Sequence, residues 1–133
     1  MDESIFADYE YTVIDLWGTY CDPCIAAMPD NEALYQKWKD KGVGFVGIVI
    51  DVQNGSYEPD EEMVTTAKLI EEEQGTTYPC IMLSEDLEPL MEQLSAVPCY
   101  LIVDKNGEPV TGLVIAAREQ SKWEEAFNAL MAE

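Results

Sequence analysis

The stretch that decides the fold runs Tyr11-Thr-Val-Ile-Asp-Leu-Trp-Gly-Thr-Tyr-Cys-Asp-Pro-Cys24. Its first half, Tyr11 to Trp17, is β-branched and aromatic without helical spacing, which predicts a buried strand. Cysteines follow at once, separated by Asp22 and Pro23. From there to about Lys41 the spacing of Ile25, Met28, Leu34, Tyr35 and Trp38 predicts a helix that Pro29 kinks and Gly42 ends. A CxxC therefore sits where a strand ends and a helix begins.

That position suits thiol chemistry. A thiolate, not a thiol, attacks a disulfide, and a helix amino end stabilises the thiolate through its partial positive charge and unpaired N–H groups. Cys21 is the expected exposed nucleophile. Cys24, one turn on, lies on the same side and closes back onto it. Pro23 fits a first helical turn, where its missing N–H costs nothing. Asp22 acts the other way, since a negative charge beside the thiolate raises its pKa. On its own a CxxC also fits half of a metal site or two buried structural cysteines; the strand before it and the helix after it favour redox chemistry.

Outward from this motif, Val43 to Ile50 is almost wholly apolar, as for a central parallel strand covered on both faces. A polar loop, 51–60, precedes a helix over Glu61 to Gln74 closed by Gly75, a short strand Cys80 to Leu83, and a helix near Asp86 to Leu94. Val97 to Val103 reads as a strand, Asp104-Lys-Asn-Gly107 as a turn, and Val110 to Ala116 as the antiparallel partner. Gln120 to Met131 closes the chain as an amphipathic helix. The order predicts an α/β fold with a central mixed sheet flanked by helices. At 133 residues, without repeats or a linker, the chain is expected to be one domain, 1–133.

Composition excludes several chemistries. The chain has no histidine, which removes Cys–His and Ser–His–Asp catalysis together with the commonest zinc ligand. Cys80 and Cys99 lie far apart, unlike the second close pair of a four-thiolate zinc site, so no metal is expected. With 27 acidic against 7 basic residues the formal net charge is −20, a field that repels nucleic acid and anionic membranes. It fits a solvated acidic surface, or steering of a basic partner. The apolar runs are too short to span a bilayer, and the opening Met1-Asp-Glu3 is not that of a secretory signal.

The segment Trp17-Gly-Thr-Tyr-Cys-Asp-Pro-Cys-Ile-Ala-Ala-Met-Pro29 closely resembles the W-x-T-W-C-x-P-C-x-x-E-M-P stretch of thioredoxin-like proteins of the TlpA/ResA type. Val97-Pro98 and Ile102-Val-Asp-Lys-Asn-Gly107 are similar to that family's cis-proline strand and D-x-x-G turn. The resemblance extends over about residues 11–131 and implies a thioredoxin fold with an α/β insertion, roughly residues 52–83, after the second strand. It implies thiol–disulfide exchange with protein thiols and disulfides, no cofactor beyond the Cys21–Cys24 disulfide, a monomer, and a place outside the bacterial cytoplasm. An N-terminal signal or anchor would then be absent from this chain, and a membrane thiol carrier would supply electrons. Reduction of cytochrome apoproteins or other envelope proteins is the implied task.

The resemblance also assigns roles. Pro98 becomes the cis-proline that, with Val97, offers backbone groups to the substrate, where residues alone suggest only a strand-edge proline. Trp17 covers the site, or is simply a core aromatic. Asp15 matches the buried acid of thioredoxin that moves protons to and from the second cysteine; a carboxyl within an apolar strand has the raised pKa this needs, although a structural Asp bonded to backbone is the alternative. Ala27 replaces the family's Glu, Tyr20 its second Trp, and Cys99 the usual Thr. Cys80 and Cys99 are left as two buried free thiols, a structural disulfide, or a second redox pair. Two other activities compete. A peroxiredoxin-like peroxidase needs Thr or Ser three residues before its cysteine, where Gly18 stands, and an Arg, of which Arg118 is the sole example. A non-catalytic thioredoxin-like binding module would not need the cysteines at all.

Overall fold

The computed structural model describes residues 6–93, 95–111, 114–115 and 120–132. Strand β1 (Tyr11–Trp17) leads into helix α1 (Asp22–Trp38), a 3-10 turn (Lys39–Lys41) and strand β2 (Val43–Val49). Helix α2 (Glu61–Gln74) and strand β3 (Cys80–Met82) follow, and they form the expected insertion after the second strand. A 3-10 turn (Glu85–Leu87) and helix α3 (Glu88–Glu92) then precede β4 (Cys99–Asp104), β5 (Val114–Ile115) and helix α4 (Gln120–Met131).

The five strands lie in the order β3-β2-β1-β4-β5. β1, β2 and β3 run parallel, while β4 is antiparallel to both β1 and β5. Two right-handed crossovers moving in one direction put α1 and α2 on one face. On that face Val13, Phe45, Tyr100 and Ile102 pack with Leu34 and Trp38 of α1 and Trp123 and Phe127 of α4. The opposite face buries Ile14, Leu16, Val46, Ile48, Cys99 and Leu101 against Leu83 and Leu87. β1 and β2 are covered on both sides, which is why they read as continuous apolar runs.

Local chemistry sets the boundaries. Asp60 Oδ1 accepts from the N–H groups of Glu62 and Met63 and so starts α2, and Gly75, at φ +73°, ends it. Gly42, at φ +102°, turns the chain out of the 3-10 segment into β2. Three expectations shift. α1 runs through Pro29 as expected but ends at Trp38, and Lys39–Lys41 form a 3-10 turn. The helix expected near Asp86–Leu94 is a 3-10 turn plus five residues, because Pro89 favours a fresh first turn; Leu94 lies outside the described residues. The last strand is described only at Val114–Ile115, with Pro109 making an isolated bridge to Val103. The rest of the span expected for it, residues 112, 113 and 116, lies outside the described residues, as does Arg118.

Candidate active site

β1 ends at Trp17, and four residues later Cys21 caps α1. The connecting loop is tied down by Asp51, just beyond β2. Its carboxylate accepts from the Thr19 backbone N–H at 3.1 and 3.2 Å and from Thr19 Oγ1 at 2.5 Å. Cys21 is bonded to Cys24, with Cα atoms 5.3 Å apart. The Cys24 N–H, one of the unpaired donors at the helix start, points at Cys21 Sγ from 3.2 Å. In the reduced protein that donor stabilises a thiolate on Cys21.

The cysteines are more covered than the sequence suggests. Cys21 is 6% exposed and Cys24 1%. The segment before β4 provides the cover, with the Val97 carbonyl oxygen 3.6 Å from Cys21 Sγ and a cis peptide between Val97 and Pro98. Val97 is half-buried and Pro98 buried, whereas Asp22 and Pro23 are exposed beside Cys21. Six of the expected site residues, Cys21, Asp22, Pro23, Cys24, Val97 and Pro98, therefore meet at one end of the sheet.

Trp17 does not belong to the surface of that site. It is completely buried and packs from below against Cys21, Cys24 and Met28, so it presents nothing to a substrate. The inward orientation follows from strand alternation, since Val13, Asp15 and Trp17 point to the same face. The aromatic that is displayed is Tyr20, 66% exposed. Its ring lies over Gly18, where a Cβ would come within 2.5 Å of Tyr20 Cε1. Gly18 carries no hydroxyl of the kind a peroxiredoxin places there. Tyr20, which stands in place of the second Trp of the TlpA/ResA-type stretch, is thus exposed one residue before Cys21.

Asp15 is buried in the row Cys80–Gly47–Asp15–Tyr100, which crosses β3, β2, β1 and β4. Desolvation pushes its carboxyl up to about 7, and a hydrogen bond from Asn31 holds it lower than burial alone would. Asn31 Nδ2 donates to Asp15 Oδ2 at 3.3 Å and to Tyr100 Oη at 3.3 Å. Asp15 Oδ1 has no hydrogen-bond partner among the described residues. Asn31 is a polar residue on the buried side of α1 that also carries Cys24, Ala27 and Met28.

Cys80 and Cys99 do not form a disulfide. Both are free, and two whole strands stand between β3 and β4, about 14 Å across three strand spacings. They also lie on opposite faces: Cys80 shares the Asp15 face through Gly47, while Cys99 pairs with Leu16 on the other. A direct relay between them is excluded for the same reason. Cys80 fills the place left by the missing side chain of Gly47, whose Cβ would lie 2.6 Å from Cys80 Sγ and 3.3 Å from Trp17 Nε1. Burial raises the pKa of both thiols, with the Glu71 carboxylate adding to the effect at Cys80. Among the described residues no three His, Cys, Asp or Glu side chains come together to hold a metal, and no helix is long and apolar enough to cross a membrane.

This geometry has counterparts. The ResA thiol-disulfide oxidoreductase of Geobacillus kaustophilus is 27% identical over 95 residues, covering 71% of this chain and 49% of that protein. A thioredoxin-family thiol:disulfide interchange protein from Chlorobium tepidum superposes with a TM-score of 0.76 at 19% identity, over 97% of this chain and 84% of its own. StoA from Bacillus subtilis gives 0.64 at 18% identity, over 87% and 81%. The structural matches establish the thioredoxin fold. In sequence the chain is similar to ResA-type thiol-disulfide oxidoreductases. No protein-family model matches it, and it spans about half the length of the ResA relative. Ala27 is buried on α1, at the position where the TlpA/ResA-type stretch carries Glu.

Proposed function

We propose that this protein is a thiol–disulfide oxidoreductase that exchanges the Cys21–Cys24 pair with protein disulfides, working as an extracytoplasmic reductase of envelope or cytochrome apoproteins. The observation that carries this reading is the cystine at the start of α1, with the Cys24 N–H on Cys21 Sγ and the Val97 carbonyl facing it. The names of the relatives support the activity, and the family resemblance supports the location.

In the reduced protein Cys21, as thiolate, attacks one sulfur of the substrate disulfide. A mixed disulfide forms, and the other substrate sulfur leaves with the electron pair and takes a proton from solvent. Cys24 then loses its proton, attacks Cys21 Sγ and releases the second substrate sulfur as thiolate. Asp15, raised to about 7, is suited to take that proton near neutrality. The Val97 carbonyl and the backbone around Pro98 pair with the substrate chain, and Tyr20 and the exposed Asp22 and Pro23 line its approach. A dithiol donor at the membrane restores the reduced pair, and no metal or organic cofactor enters.

The test is to react Cys24→Ser and Cys21→Ser variants with a disulfide-bonded protein. Cys24→Ser accumulates a mixed disulfide through Cys21, and Cys21→Ser does not react. Absence of exchange in the unsubstituted protein, with binding of the disulfide-bonded protein retained in a Cys21→Ser/Cys24→Ser double variant, overturns the reading in favour of a non-catalytic binding module. Peroxide consumption at a rate exceeding disulfide exchange overturns it in favour of a peroxidase.

A further inference from the structure

The inward side of α1 is apolar from Cys24 through Met28 and Leu34 to Trp38, apart from one amide. Asn31 is 3% exposed, and a buried amide is costly to a fold unless its hydrogen bonds are made. Those bonds are specific. One N–H group reaches Asp15 Oδ2 on β1, and the same nitrogen reaches Tyr100 Oη on β4, two residues past Pro98. The two acceptors sit opposite each other in the β1–β4 register, so a single side chain from α1 bridges both strands. The second carboxylate oxygen, Oδ1, is buried without a partner among the described residues.

We infer that Asn31 is a positioning residue of the exchange reaction: it holds Asp15 by Oδ2 and leaves Oδ1 as the atom that exchanges a proton with Cys24. The inference rests on the proposed activity and deepens it. During resolution the Cys24 S–H proton passes to Oδ1, the new Cys21–Cys24 bond forms, the Cys21–substrate bond breaks, and the electron pair leaves on the substrate sulfur. When the dithiol donor re-reduces the pair, Cys24 departs as a thiolate and recovers the proton from Asp15. The carboxyl must therefore be a strong enough base to accept a proton and a strong enough acid to return it. A donor fixed on one oxygen favours the charged form and restrains the rise caused by burial.

The other titratable groups around Asp15 do not replace that donor. Tyr100 faces it from β4, Tyr78 from the segment before β3, and Cys80 from β3 across Gly47, and burial raises the pKa of each. Cys99, on the reverse face of β4, is raised too. Cys24, on α1 with Asn31, is held in the disulfide. No lysine or arginine among the described residues pairs with Asp15, so Asn31 is the group that favours its carboxylate.

The experiment follows the Asp15 carboxyl stretch by infrared difference spectroscopy across pH in the oxidised protein, together with the pH–rate profile of disulfide exchange. The variants are Asn31→Leu, which removes the donor and fills the space, and Asn31→Ala, which removes it with no added bulk in case Leu prevents folding. Asp15→Asn identifies the band. Loss of a hydrogen bond to a charged group corresponds to a shift of at least about one pH unit. The expected result is an Asp15 midpoint, and the matching limb of the rate profile, displaced upward by that amount in either variant. An active protein whose midpoint and profile stay in place, even with reduced stability, overturns the positioning role alone. Absence of exchange in the unsubstituted protein overturns the proposed function, and the positioning role with it.

Discussion

Asp15 and Asn31 meet at 3.3 Å where β1 packs under α1, and both are almost completely buried. This contact places an ionisable group inside the sheet-to-helix interface with a single donor to support its charge. Stability should respond to pH accordingly. The folded-state value of Asp15, about 7, lies above its ordinary 3.8. Below pH 4 the carboxyl is neutral in both folded and unfolded chains. Between about 4 and 7 the unfolded chain releases the proton first, so stability falls as pH rises, and the loss is complete above the folded value. Asp15→Asn removes this slope and gains up to about 4 kcal/mol over the unsubstituted protein at neutral pH. Urea unfolding at a series of pH values measures it; equal slopes in the two proteins contradict the assignment.

Gly47 and Cys80 form a second tight relationship. A Cβ on Gly47 would stand 2.6 Å from Cys80 Sγ, so Gly47→Ala forces the thiol or the strands to move. The expected cost is about 1–3 kcal/mol. Adding Cys80→Ala vacates the space and should recover most of it. A double-mutant cycle showing no coupling between these positions contradicts the packing described.

The placement of Cys80 and Cys99 on opposite faces predicts the thiol count. Oxidised protein, unfolded in denaturant and treated with a maleimide, should label at two sites, Cys80 and Cys99. Quantitative oxidation to a form with no free thiol, and mass spectrometry that links these two residues, contradicts the fold.

The Thr19–Asp51 clamp fixes the loop that carries Cys21. Asp51→Ala leaves the Thr19 N–H and hydroxyl without their acceptor, and is expected to lower stability by about 1–2 kcal/mol. It should also slow exchange, because Cys21 loses its fixed position over the Cys24 N–H. Asp51→Asn, which keeps one acceptor oxygen, should fall between the two. Unchanged unfolding and unchanged exchange rates in Asp51→Ala would mean the clamp is incidental.

Much of this was legible in the sequence because the signals were local. β1 and α2 have the bounds that their β-branched run, the loop ending at Asp60 and the closing Gly75 suggest. The CxxC falls at a strand-to-helix junction for the same reason. What could not be read depends on distant partners. Whether Cys80 and Cys99 meet is decided by strand order and by which face each side chain takes, and neither is local. Asn31 sits among apolar residues at helical spacing, where a polar side chain looks like a solvated position. Only the arrival of Asp15 and Tyr100 from two strands makes it a bonded one. Of the two readings of Trp17 the core aromatic holds, because alternation along β1 turns it inward, while Tyr20 in the following loop is exposed.

The most direct test of the central claim is the reduction potential of the Cys21–Cys24 pair, obtained by thiol trapping across a series of glutathione or dithiothreitol ratios. The account predicts a single two-electron transition near that of thioredoxin, ~−270 mV, with Cys80 and Cys99 unchanged throughout. A midpoint near ~−120 mV, the value of a disulfide-forming oxidant, or a pair that does not titrate, would contradict it.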